Sequence, residues 1–135
     1  VWGSVLIVDD ESLLARTLAN ALRDDGYEAV TAESAEDAAS HLFPSHRFDV
    51  VVLDHRLPGA SGLSLLERMR NEGQGTPVIL MTAYETASMR SRALELSTAG
   101  FYRKPFNLRE MLDRIAALAP RPAITGAATR PGGRE

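Results

Sequence analysis

Apolar positions along this chain alternate between two rhythms. The first is a set of short continuous runs at residues 4–8 (SVLIV), 28–32 (EAVTA), 50–53 (VVVL), 77–81 (PVILM) and 100–103 (GFYR). Runs of this length between turn formers predict strands, and the most apolar of them predict strands buried on both faces. Residues 28–32 are less apolar, as an edge strand is. Between the runs the spacing is helical. Leu14, Leu18, Ala21 and Leu22 share one face, as do Ala35, Ala38, Ala39 and Leu42. The same spacing recurs in Leu63, Leu66 and Met69, in Met89, Ala93 and Leu96, and in Leu108, Met111, Leu112, Ile115 and Leu118.

Local punctuation agrees with this division. Gly26 closes the first helix. Ser34 with Asp37 three residues on resembles a capping box at the start of the second, which Pro44 ends. Asn107 and Glu110 open the last. Five strands alternating with five helices predict an α/β fold, a doubly wound parallel sheet with helical crossovers. Right-handed crossovers bring the carboxyl ends of all five strands to one edge, where open α/β sheets bind ligands. Asp9 and Asp10 follow the first strand, Asp54 the third, Thr82 the fourth and Lys104 the fifth, so these residues converge. From Pro120 onward the periodicity gives way to Pro, Gly, Ala and Thr. The expected organisation is one domain over residues 1–119 and a flexible tail or linker over 120–135.

Composition narrows the picture. A chain of 135 residues, 44% hydrophobic and 24% charged, holds one globular domain and an appendage. The absence of cysteine excludes disulfides and thiolate metal sites. No apolar stretch approaches the ~18 residues of a membrane span, and no basic-plus-apolar leader is visible, so a soluble, cytoplasmic protein is expected. The start at Val1 rather than Met suggests a fragment or a processed chain. The net charge is −3, and the tail with Arg121, Arg130, Arg134 and Glu135 is basic. The remaining body is therefore weakly acidic, which argues against unaided nucleic-acid binding. One lysine, Lys104, stands among fifteen basic side chains. Codon bias is the plain reading; the sharper one is a position where arginine will not serve.

Carboxylates that converge repel one another unless a cation lies between them. A few oxygen ligands suit Mg²⁺, which keeps several waters and accepts one or two carboxylates plus a phosphoryl oxygen. A lysine ammonium and a threonine hydroxyl beyond it complete a site for a tetrahedral anion. A carboxylate so placed can attack phosphorus to give an acyl phosphate. Each residue has a plainer reading: Asp9 and Asp10 as helix caps, Thr82 as a strand end, Lys104 as a solvated charge, Phe101 as an ordinary core ring. The joint placement of Asp9, Asp10, Thr82 and Lys104 favours the site, while a rigid core ring remains a serious competing reading for Phe101.

The stretches VLIVDDES, VVVLDHRLPGASG, VILMTAY and FYRKPF resemble, in order and spacing over residues 4–119, the signature stretches of the response-regulator receiver domain of two-component signalling. The resemblance implies a (βα)5 flavodoxin-like three-layer sandwich with sheet order 2-1-3-4-5. It implies that Asp54 accepts a phosphoryl group from the phosphohistidine of a histidine kinase or phosphotransfer protein. Asp10 and Asp54 would bind Mg²⁺ directly, with the backbone carbonyl of Arg56, and Asp9 through water. Thr82 and Lys104 would hold the phosphoryl oxygens, and the bond before Pro105 would be cis. Phe101 stands at the family's mobile aromatic. On phosphorylation Thr82 would move toward the new oxygens, Phe101 would turn into the vacated space, and the face of helix four, strand five and helix five would change. That face is where the family dimerises or meets partners.

By the same resemblance the chain is not an enzyme beyond its own phosphorylation and dephosphorylation. The expected output is transcriptional control through an effector domain, the sole route to nucleic acid. The alternatives are a stand-alone or kinase-attached receiver in a phosphorelay, a scaffold that signals without phosphate, or an aspartyl-nucleophile phosphohydrolase. The last usually wants a second acid where Arg56 stands. Ser97 and Thr98 replace the family's usual Gly-Ala, and Tyr102 replaces an aliphatic residue; all three lie beside the output face. Arg56 and Tyr84 flank the site mouth and are expected to restrict water, giving a long-lived acyl phosphate. His41 and His46 read as surface residues. His55 adjoins the acceptor without a second histidine to make a zinc site.

Overall fold

The computed structural model, which describes residues 3–44 and 48–120, alternates strand and helix throughout. The order is β1 (Ser4–Val8), α1 (Ser12–Asp24), β2 (Glu28–Ala32), α2 (Ala35–Leu42), β3 (Val50–Asp54), α3 (Gly62–Asn71), β4 (Val78–Thr82), α4 (Ala87–Glu95), β5 (Gly100–Arg103) and α5 (Leu108–Leu118). His46 and the tail residues 121–135 lie outside the described residues.

All strand pairs are parallel, and the sheet order is β2-β1-β3-β4-β5, as expected. Every residue of β3 and β4 is buried because helices cover both faces of the sheet centre. Successive strand side chains point to opposite faces. Val5, Ile7, Val50, Val52, Ile79 and Met81 pack against Leu18 and Leu22 of α1 and Met111 and Ile115 of α5. Leu6, Val8, Val51, Leu53, Val78 and Leu80 meet Leu42 of α2, Leu66 and Met69 of α3, and Ala93 of α4. The result is three layers with two apolar cores. Edge strands β2 and β5 are less buried, as the composition of β2 predicts.

The ladder runs further than the apolar runs do. Asp54 pairs with Met81 and Thr82 with Arg103, so both polar residues are the last residues of strands rather than the first of loops. Four helices are capped by a side chain: Ser34, Ser61, Thr86 and Asn107 each accept a backbone N–H three residues on. The Asp37 carboxylate returns to the N–H of Glu33, one residue earlier than a capping box requires. α1 is the exception. Its N-cap is Glu11, whose side chain makes no cap hydrogen bond.

α4 ends in a Schellman turn: the N–H of Thr98 reaches Ala93 O and that of Ser97 reaches Leu94 O. Ser97 has φ 59°, the one positive φ outside glycine among the described residues. Glycine carries no steric cost there, which is the physical content of this departure from the family pattern. The Arg70 guanidinium holds the turn by donating to Leu96 O, Gln74 O and Thr76 O at 2.8–2.9 Å. No helix among the described residues is long and apolar enough to cross a membrane.

Candidate functional site

Parallel register brings the ends of β1, β3, β4 and β5 to one edge, and Lys104 reaches across it. The Lys104 Nζ donates to Glu11 Oε1 at 2.7 Å, to Asp9 Oδ2 at 2.9 Å and to Asp54 Oδ2 at 3.1 Å. An ammonium has three protons, so its donors are fully used. Asp9 and Asp54 are 1% and 5% exposed, and two acids buried this close need a cation. Burial raises the Asp9 pKa, against which the hydrogen bonds from Lys104 and from the Glu11 N–H work. Burial alone would lower that of Lys104; the bonds to Glu11, Asp9 and Asp54, in that order, overcome it and leave it raised.

α3 fixes the backbone under the Asp54 carboxylate. Gly62, the first residue of α3, donates its N–H to His55 O at 2.7 Å. A Cβ at Gly62 would lie 2.4 Å from the Asp54 carbonyl oxygen, so only glycine allows this approach. The Arg56 N–H points to Asp54 Oδ1 at 3.4 Å.

Thr82 stands apart from the ammonium. Its hydroxyl donates to Tyr84 O at 2.8 Å and accepts the Tyr84 N–H at 3.1 Å, while its carbonyl accepts the Lys104 N–H at 2.8 Å. The Lys104–Pro105 bond is cis. Over the mouth, the Arg56 guanidinium lies 5.5 Å from the centre of the Tyr84 ring, which is 70% exposed. Both residues line a groove with His55, Ser61, Thr82 and Met89. His55 is partly buried, its Nδ1 has no partner among the described residues, and burial with the nearby Arg56 charge lowers its pKa. His41 is a surface residue 3.8 Å from Asp37.

Phe101 is half-buried against the α2–α4 core, and the Arg90 guanidinium stacks over its ring at 4.9 Å. Arg90 is itself held by Glu85, in the loop that carries Tyr84. Tyr102 packs partly buried on the opposite face.

Carboxylate oxygens of Asp9, Glu11 and Asp54 all lie within 4.8 Å of one another, a set of hard oxygen donors that fits Mg²⁺. Asp10 is exposed and stands outside this cluster, and Glu11 stands inside it. Glu11, Gly62 and Arg90 belong to the site without standing at the end of an apolar run. A signal for Glu11 was available: glutamate is a poor N-cap, and here it follows two aspartates at a helix start.

The family model of the response regulator receiver domain matches residues 5–116. The chain belongs to this family. Response regulators are signalling proteins, and the receiver fold accounts for the convergence at the sheet edge. The chain is 38% identical over 122 residues to "Probable transcriptional regulatory protein TcrX" of Mycobacterium tuberculosis, covering 90% of this chain and 52% of that one. The non-phosphorylated HemR receiver domain of Leptospira biflexa superposes with a TM-score of 0.80 at 35% identity, over 90% of this chain and 98% of that one. A response regulator of Burkholderia pseudomallei, solved with a phosphorylated aspartic acid, a calcium ion and citrate, gives a TM-score of 0.74 at 26% identity, over 87% of this chain and 67% of that one. The receiver spans about half the length of the curated relatives it matches.

Proposed function

We propose that this receiver is phosphorylated on Asp54 by a histidine kinase or phosphotransfer protein. The observation that carries the reading is the convergence of buried Asp54 and Asp9 on Lys104. An Asp54 carboxylate oxygen forms its bond to phosphorus as the phosphorus–nitrogen bond of the donor phosphohistidine breaks, and the imidazole leaves with that electron pair. Asp54, Asp9, Asp10 and the Arg56 carbonyl are the groups to hold Mg²⁺, with Glu11 available from the cluster. The bound ion would neutralise charge on the transferring oxygens. Lys104 bonds the same carboxylates and supplies a second positive charge. The Thr82 hydroxyl must exchange its bond to Tyr84 O for one to the phosphoryl group, which would loosen the loop bearing Glu85. Phe101 and the face of α4, β5 and α5 would follow. That face is the proposed homodimer or partner surface.

The domain is assigned to residues 1–119, the tail to 120–135, and the setting to the cytoplasm. Relatives named as transcriptional regulators support an effector domain that acts on DNA when this receiver is phosphorylated. Incubation with acetyl phosphate and Mg²⁺, followed by intact-mass measurement, tests the acceptor. One phosphoryl adduct is expected, absent in Asp54→Asn and in chelator. No adduct on the unmodified chain at saturating donor and metal contradicts the reading.

A further inference from the structure

Arg90 links the loop that holds Thr82 to the Phe101 ring. Its guanidinium stacks over that ring at 4.9 Å and pairs with Glu85. Glu85 directly follows Tyr84, whose backbone N–H and carbonyl are both bonded to the Thr82 hydroxyl. Phe101 leads back to the same place. It pairs with Leu80 across β4 and β5, and Thr82 stands two residues beyond Leu80 on the same face of the sheet. α4 adds little restraint of its own, since Ala93 is its one buried residue. The stack also favours one position of the ring. The Arg90 side chain is 52% exposed, and a guanidinium so placed can cover a half-buried ring. It cannot follow a ring that turns into the core, where the charge would lose its water.

We propose that Arg90 is a positioning residue that latches Phe101 in its half-buried position and so opposes phosphorylation of Asp54. The inference rests on the assignment of Asp54 as acceptor and of Phe101 as the ring that turns. A phosphoryl group draws the Thr82 hydroxyl off Tyr84 O, and the inward turn of Phe101 then costs the stack. Without Arg90 that cost is absent. A direct effect of charge has the opposite sign, because removing a cation weakens the hold on a nearby anion.

The probe is beryllium trifluoride, which adds to a carboxylate as a phosphoryl mimic. It would be titrated at saturating Mg²⁺ into the parent, Arg90→Ala, Phe101→Leu and the double variant. Backbone amide NMR shifts follow binding, ring signals of phenylalanine-labelled chains follow Phe101, and thermal melting checks the fold. An exposed stack of this kind corresponds to about a twofold to fivefold change in affinity. Arg90→Ala is expected to bind the probe tighter by that factor. Before any probe is added, its Phe101 signal is expected to lie displaced toward the probe-bound position. In the Phe101→Leu background the same substitution is expected to give no tightening, since the contact that couples the two residues is gone. Unchanged binding in Arg90→Ala overturns the proposal, and so does weaker binding, which would assign Arg90 an effect of charge alone. Tighter binding that persists without the Phe101 ring overturns it as well. If the parent chain binds no probe while remaining folded, the acceptor assignment fails and this inference falls with it.

Discussion

A methyl group on Gly62 has nowhere to go, with the Asp54 carbonyl oxygen 2.4 Å away and the His55 Cα at 2.9 Å. Both contacts are backbone, which cannot swing aside as a flexible side chain does. Gly62→Ala is therefore expected to lower unfolding free energy by about 1–3 kcal/mol, the usual cost of overpacking. Urea denaturation measures it, and an unchanged midpoint would show that α3 can slide off the acceptor strand. At this scale the sequence exposes some residues and hides others. Asp54, Thr82 and Lys104 stand out because each is a polar residue at the end of an apolar run. Gly62 looks like one more loop glycine, since its need arises from an approach between α3 and β3 that no local pattern encodes. Glu11 is hidden similarly: spacing puts it at a helix start, and only the fold shows Lys104 within 2.7 Å.

Among elements, the loops after β3 and β4 meet beside the Asp54 edge through Arg56 and Tyr84. With Asp54 phosphorylated as proposed, a pair so placed would hinder the in-line approach of water to the acyl phosphate. Replacing both with alanine is expected to shorten the phosphoryl lifetime several-fold, on the order of 1 kcal/mol of barrier. The measurement is loss of adduct mass with time after the donor is removed, and an unchanged lifetime would sink the lid. Element order and type are readable from the chain because strand and helix periods differ so clearly between adjacent segments. Ends are less so. Asp54 and Thr82 belong to their strands because a neighbouring strand continues the ladder, which is a tertiary fact. The turn after α4 is a similar case: Ser97 reads as an oddity against the family, and the carbonyls held by Arg70 explain how the left-handed residue is kept in place.

For the whole molecule, the sheet assembles the site. Lys104 directly follows the edge strand β5, Asp9 directly follows β1 and Asp54 ends the central β3, so the complete tertiary fold is required before any of the three ion pairs exists. Fold and family were both readable in the sequence, because the signature stretches fall at strand ends in order. The distribution of partners around Lys104 was not, because a strand-end position gives proximity without naming which oxygen each proton takes. Phosphoryl transfer is expected to end as an acyl phosphate on one carboxylate. Borohydride reduction of the phosphorylated chain, followed by peptide mass mapping, identifies that carboxylate. Homoserine at position 54 is the predicted product, and reduction at any other acid, with Asp54 intact, would contradict the account.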